Sequence, residues 1–354
     1  MANHPEKINY KKAGVDTHKA QKLIADLKKD ITSTHKNLKT GQVRNNYGGF
    51  AGLFKPENKY RGFDIVASTD GVGTKIELCK NFNYFEGLGF DLVAMCVNDL
   101  YCAGAVPFFF LDYLACGKLD DSWYVPVISS IAKACKSVPM ALLGGETAEH
   151  PGIMKNNDFD LAGFCVGAVD SKNALPKTNK MKQGDLLVAL PSSGFHSNGF
   201  SLIRKVLEKM KKNNSKNYLK LTSDRNFITK TLLTPTRIYS FLPELISKIP
   251  VKGIAHITGG GIYENLPRIL PNNLKAFIEK PLLFKQKNYD FLNDYVNVKD
   301  LFSTFNMGMG IIIVVERSKA ALINKFDSKA SVIGYLIENK DKSKKNIILE
   351  GIDT

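Results

Sequence analysis

Apolar positions fall into two rhythms along this chain. Runs at 63–69, 107–115, 139–144 and 159–169 suit buried or half-buried strands, and they alternate with helix-period stretches at 17–31, 88–103 and 121–137. The clearest helix lies in the segment Gly87 to Pro107, where Leu92, Val93, Met95, Cys96 and Leu100 make one stripe. It is expected to stop at Gly104, with Pro107 three residues beyond. Residues Ser171 to Gly184 are polar and contain Pro and Gly, which predicts a linker or crossing loop. Past it come a strand at 185–190, a helix at 200–209 with Leu202, Ile203, Val206 and Leu207 on one side, a helix near 236–249, and strands near 253–257, 310–316 and 331–337. No tandem repeat is visible. A length of 354 residues exceeds one ordinary core, so the reading is an α+β fold in two domains, residues 1–170 and 171–354.

The polar residues that interrupt this pattern carry the chemistry. After the strand at 63–67 the chain reads Ser-Thr-Asp70-Gly71-Val-Gly73-Thr74-Lys75. Glycines at such a turn admit close backbone approach and positive φ, and their N–H groups can face phosphate oxygens. Asp70 offers hard oxygen to Mg²⁺, and Lys75 a point charge. A strand-to-helix turn that needs glycine only for shape has the same appearance, and the Walker pattern G-x-x-x-x-G-K-[ST] is absent. Asp91 and Asn98 stand seven apart on one helical face with Asp99 on the next, a costly burial unless a cation or donors satisfy it. At Met140 to Glu149 a third element runs into Gly144, Gly145 and Glu146. Three element ends with carboxylates beside glycine predict one acidic, metal-dependent phosphate site.

In the second domain the loop Ser192-Ser-Gly-Phe-His-Ser-Asn-Gly199 opens a helix, where free N–H groups favour an anion. Ser197 and Asn198 are also ordinary helix caps. His196 lies inside that loop, and His256 ends a strand before Thr258-Gly-Gly-Gly261. A lone strand-end histidine is commonly structural, but two beside two glycine loops point to a substrate site.

Composition narrows the classes. The formal net charge is +15, but the excess is dispersed lysine without interleaved aromatics, so a solvated surface is expected rather than a nucleic-acid footprint. The longest apolar run, Ile311 to Val315, is far short of a membrane span, and no secretory leader is expected. Six cysteines without metal-binding spacing predict reduced thiols in a cytoplasmic protein.

The segment Asp99-x4-Gly104-Ala105-x-Pro107 matches the signature of the aminoimidazole ribonucleotide synthetase superfamily of ATP-binding proteins. Together with Tyr10-Lys-Lys-Ala-Gly-Val-Asp16, Thr69-Asp-Gly-Val-Gly-Thr-Lys75, Asp91-Leu-Val-Ala-Met-Cys-Val-Asn-Asp99, Phe109-Phe-Leu-Asp-Tyr113, Gly144-Gly-Glu-Thr-Ala-Glu149, the loop 192–199 and His256-Ile-Thr-Gly-Gly-Gly261, it makes the chain resemble the phosphoribosylformylglycinamidine cyclo-ligase family over nearly its whole length. The resemblance implies a two-domain PurM-like fold, with N-terminal sheets joined into a barrel across a homodimer and a C-terminal α/β domain with a mixed sheet. It implies ATP and Mg²⁺, with Asp70, Asp99 and Glu146 on the metal and Lys75 neutralising the transferring phosphoryl group. Nucleotide contacts would come from Gly71, Gly73, Thr74, Asn98, Asp99, Gly144, Gly145, Glu146, Lys28 and the glycine-rich loop at Gly48 and Gly49, where Asn45, Asn46 and Ala51 depart from the family pattern. His196 or His256 would carry the proton. The implied reaction closes the imidazole ring of formylglycinamidine ribonucleotide. A selenophosphate-forming relative would carry an N-terminal reactive cysteine, and none precedes Cys79; the amidine-forming relatives are typically longer. A nucleic-acid scaffold does not explain the motifs together.

Overall fold

The computed structural model describes residues 17–36, 38–43, 54–213, 216–284, 287–340 and 346–353. The expected loop at Gly48 and Gly49, with Asn45, Asn46 and Ala51, lies outside them. The first half begins with α1 (Thr17–Ser33) and the two-stranded ribbon β1 (Gly41–Val43) and β2 (Phe54–Pro56). Next come β3 (Asp64–Gly71), α2 (Lys75–Phe82), α3 (Leu88–Cys102), β4 (Val106–Cys116), α4 (Asp121–Ser137), β5 (Ala141–Glu149) and β6 (Phe159–Val169). Their sheet has the order β3-β6-β4-β5, antiparallel except for β4 with β5.

The second half contains β7 (Leu186–Pro191), α5 (Phe200–Lys212), α6 (Lys216–Ser223), α7 (Arg225–Phe227), α8 (Leu242–Lys248), β8 (Gly253–His256), α9 (Gly261–Asn265), β9 (Leu274–Ile278), α10 (Val298–Thr304), β10 (Met309–Val315), β11 (Ser331–Glu338) and β12 (Ile347–Leu349). Its mixed sheet has the order β12-β9-β11-β7-β10-β8. Strands β7 and β10 sit inside this sheet and are buried almost throughout, which is why they read as unbroken apolar runs. Helix α5 buries Phe200, Ile203, Val206, Leu207 and Met210, the spacing of one helical face. No described helix is long and apolar enough to cross a membrane.

Helix α3 is apolar nearly all round because it lies between the first sheet, α4 and the second half of the chain. Gly89 permits the close crossing of α3 on α4: a Cβ there would stand 2.2 Å from the Ile131 nitrogen. The polar residues of α3 face the second half. Asp91 Oδ1 accepts from the Thr236 amide at 2.8 Å and its hydroxyl at 2.6 Å, and Asp91 Oδ2 pairs with Lys75 Nζ at 2.7 Å. Asn98 donates to the Arg237 carbonyl at 2.9 Å and accepts from the Tyr239 amide at 3.1 Å. The Lys75 ammonium and these hydrogen-bond partners together satisfy the face that looked costly in sequence. They also hold residues 236–239 out of helical form, so α8 starts at Leu242 rather than near 236.

The Lys75–Asp91 pair is fully enclosed, and losing one member leaves the other charged in the interior. Asp91→Leu should therefore cost about 3–5 kcal/mol of stability, with Lys75→Met giving a loss of the same order. The double variant should recover most of that loss in chemical denaturation. Additive losses would show that the two side chains do not depend on each other.

Candidate active site

Strand β3 delivers Asp70 to the rim of the cleft between the two halves. Asp70 Oδ1 accepts the Gly71 amide at 2.7 Å, fixing the carboxylate at the start of the turn. Burial raises the Asp70 carboxyl above its usual range and the nearby Asp99 adds to this, while the Gly71 N–H and His256 oppose it. Gly73 has φ +53, and a Cβ there would sit 3.9 Å from the Ser197 carbonyl, so the glycine turn faces the second-domain loop. Thr74 leads into α2 without capping it through its side chain.

Lys75 is turned away from this turn. Its ammonium has no exposure and donates to the carbonyls of His196 at 3.1 Å and Thr234 at 2.9 Å as well as pairing with Asp91, with the Phe200 ring 5.3 Å away. The point charge expected to face phosphate is spent on joining the two halves. Asn98, also expected at the nucleotide, is buried with both amide atoms used by the main chain of residues 237 and 239. Lys28 lies on an exposed stretch of α1.

Asp99 is the carboxylate of α3 that remains open. Its side chain is 44% exposed, and Oδ1 contacts His256 Nδ1 at 2.9 Å. With Nδ1–H donating to Asp99, the His256 Nε2 presents a lone pair; that atom is buried without a hydrogen-bond partner. Asp99, Cys102, His256, Thr258, Asn265 and Arg268 line a cleft of about 170 Å³. His196 stands beside it, with ring centroids 6.4 Å apart. The His196 Nε2 accepts from the Ser193 amide at 3.2 Å, so its proton resides on Nδ1. Burial, then His256, Lys75 and Arg237, hold this imidazole well below its ordinary pKa, and it is neutral.

Glu146 does not join Asp70 and Asp99. The register places Glu146 opposite Tyr113, Tyr113 opposite Ala162, and Ala162 opposite Gly71. At about 4.8 Å per strand, Glu146 is roughly 14 Å across the sheet from the glycine turn. Among the described residues no three metal-ligating side chains cluster. Glu146 instead neighbours Asp112, whose carboxyl burial, with help from Glu146, pushes up to about 7. Gly145 makes room for Asp112, since a Cβ there would meet Asp112 Oδ1 at 2.3 Å; Gly144 lies beside Leu111. Thr236 and Arg237 escape a reading of motif residues, because their partners are set by long-range packing, and Asp112 lies within the 109–113 motif without its burial beside Gly145 being legible.

Comparisons with known proteins agree with this architecture. Residues 51–169 match the family AIR synthase related protein, N-terminal domain, and residues 182–345 match AIR synthase related protein, C-terminal domain. The chain is similar to solved structures of a thiamine-monophosphate kinase from Stenotrophomonas maltophilia (TM-score 0.65, 15% identity, 94% of this chain and 97% of that one). It is also similar to the hydrogenase maturation protein HypE in complex with ATP (TM-score 0.65, 16% identity, 95% and 92%). At these identities the likeness establishes the fold. Relatives named phosphoribosylformylglycinamidine cyclo-ligase are much closer in sequence. That of Leptospira interrogans is 43% identical over 97% of this chain and 98% of the relative. That of Alkaliphilus oremlandii is 41% identical over 94% and 98%, and that of Fusobacterium nucleatum 39% identical over 97% and 99%. Matched end to end at such identity, and with both domains of the AIR synthase type, the chain belongs to the phosphoribosylformylglycinamidine cyclo-ligase family.

Proposed function

We propose that the chain catalyses the ATP-dependent cyclisation of formylglycinamidine ribonucleotide to 5-aminoimidazole ribonucleotide, ADP and phosphate, a step of purine biosynthesis. The observation that carries this reading is the meeting of Asp70, Asp99 and His256 at a glycine turn that faces the loop 192–199. Residues 1–170 would form the nucleotide-binding and dimerisation domain, and residues 171–354 the substrate domain. In the reaction, the formyl oxygen of the substrate attacks the γ-phosphorus of ATP and ADP leaves. The resulting imidoyl phosphate is attacked by an amidine nitrogen, and phosphate departs with the former formyl oxygen.

Phosphoryl transfer of this kind rests on positioning and charge neutralisation. The charge of Asp99 adds to the cost of ionising Asp70, and a hard cation would relieve that repulsion, so the pair fits Mg²⁺. When bound, the ion would neutralise charge on the transferring group. Glu146, across the sheet, would meet the nucleotide away from that pair. Gly73 and Thr74 would supply backbone N–H groups, Gly71 would hold the Asp70 carboxylate through its own N–H, and Lys75 would act as a positioning residue through the His196 carbonyl. Of the two histidines, His256 has the free lone pair and is the proton acceptor for the attacking nitrogen. His196, with Nε2 engaged by Ser193, shapes the loop. The cysteines are unpaired and mostly buried, which supports a reducing cytoplasmic setting.

Among the described residues one face of the first sheet is left uncovered, with Ile65 67%, Phe164 40% and Tyr113 37% exposed. Apolar residues on an open sheet face support a second copy of the chain as its cover. Sedimentation should give a homodimer, and a fully active monomer at sub-micromolar concentration would refute this assembly.

Asp99→Asn removes a charged oxygen from the pair that would hold the metal and weakens the hold on the His256 ring. It should cut turnover by about 10²-fold or more in a coupled assay for the aminoimidazole product. His256→Ala should lower turnover by a similar factor while ATP affinity stays near that of the unchanged protein. Near-normal turnover in either variant would defeat the assignment.

His196 gives the protein a defined acid response. The ordinary pKa of histidine is about 6.5 and the folded ring lies well below it, so on acidification the unfolded chain takes up a proton first. Stability contributed by the neutral ring is complete above about pH 6.5 and declines below it. His196→Gln should flatten the fall in denaturation midpoint between about pH 7 and pH 5. An unchanged slope would show that other groups dominate.

A further inference from the structure

The second sheet brings four strand ends to one edge. Pro191 of β7 pairs with Met309 of β10, Ile311 of β10 with His256 of β8, and Ala189 of β7 with Ser331 of β11. The carboxyl ends of β7 and β8 therefore lie on the same edge as the amino ends of β10 and β11. His256 and its small cleft mark the β8 end. At the β7 and β11 end a second, larger cleft of about 580 Å³ opens, lined by Ser193, Arg237, Phe284, Ser328 and Lys329 among others. Strands β8 and β7 are two places apart, so the openings are separated by roughly 10 Å.

The chemistry of this cleft is that of an anion receptor. The Arg237 guanidinium is 31% exposed and held in place by the Asp327 carboxylate at 2.9 Å and the Pro191 carbonyl at 3.0 Å. Both contacts use Nη1, which leaves the other N–H groups of the fork for a ligand. Asp327 is itself buried and accepts the Lys329 amide at 3.0 Å, so its position is fixed from both sides. The Lys329 ammonium is exposed and has no side-chain partner among the described residues. With Asp327 counted against the two cations, the cleft keeps one net positive charge beside the hydroxyls of Ser193 and Ser328. Leu283 and Phe284 add an apolar wall.

We propose that this cleft is a phosphomonoester subsite, in which Arg237 and Lys329 hold the 5′-phosphate of the ribonucleotide substrate while its reacting end lies at His256. The assignment rests on the cyclo-ligase reading for the identity of the substrate, but the phosphate site itself does not. Ser192 and Ser193 connect the cleft directly to the loop that His196 and Lys75 hold, so the same loop carries both ends of the ligand's path.

Ribose 5-phosphate and ribose, titrated into the full-length protein by calorimetry, separate the phosphate from the sugar. Ribose 5-phosphate should bind and ribose should not. Lys329→Glu, a change at an exposed side chain, should weaken ribose 5-phosphate by about ten-fold or more and leave ATP affinity unaltered. In steady-state cyclisation the same variant should raise the KM of the ribonucleotide by about ten-fold, with a much smaller change in kcat. Equal binding of ribose 5-phosphate by the variant and the unchanged protein would overturn the proposal. So would full competition between ATP and ribose 5-phosphate, which would make the cleft a nucleotide site. Retained discrimination of ribose 5-phosphate in a protein that closes no ring would uphold the phosphate site and reject the cyclo-ligase reading instead.

Discussion

The Asp91 carboxylate is the point on which the relation between the two halves depends. It takes two hydrogen bonds from Thr236 and one ion pair from Lys75, and Lys75 in turn holds the carbonyls of His196 and Thr234. A carboxylate enclosed to this degree is tolerable only when every lone pair has a donor. The requirement fixes distances across the cleft. It brings the glycine turn of Gly71 and Gly73 against the loop 192–199 and sets Asp99, one residue past Asn98, beside His256. Chemistry at the cleft is thus positioned by charges that never touch it.

This division of labour separates two kinds of polar residue on α3. Asp91 and Asn98 are buried and satisfied by the main chain and side chains of residues 236–239. Asp99 points to the cleft and is half-open. In sequence the three look alike, because helical spacing says which face a residue occupies and not what covers that face. The covering segment lies more than 130 residues away, and nothing in its Thr-Pro-Thr-Arg run announces a partner for an aspartate.

Much of the framework was legible. The strands now placed at Asp64–Gly71, Val106–Cys116 and Phe159–Val169, and the helices α3 and α4, follow from apolar rhythm and from glycine and proline at their ends. The short β9 and β12 were not readable, since strands of five and three residues give too few periods to register. Helix α2 was hidden by the motif that precedes it. At the site, Asp70 and Asp99 are legible as parts of one acidic site, whereas the contact of His256 with Asp99 is not, because it joins a helix to a strand end 157 residues away. Glu146 was grouped with them because it shares their motif grammar, although the sheet sets it three strands away. Lys75 was read as a phosphate ligand from its place after glycine, yet α2 aims it into the interior, where Asp91 accepts it.

The Lys75 contacts also impose an order on the making of the molecule. The ammonium emerges 121 residues before the His196 carbonyl that it binds and 159 residues before Thr234. While the first half alone is available, Lys75 and Asp91 have each other but not the donors and acceptors that complete their shell. A ribosome releasing this chain from its amino end therefore exposes an N-terminal half whose central polar contacts are unfinished, and contacts of such long sequence separation are the slow ones to form. The polar centre of the first half is completed only once residues 196 to 236 have emerged, so this side of the cleft waits for the second half rather than being inherited from an early-folding domain.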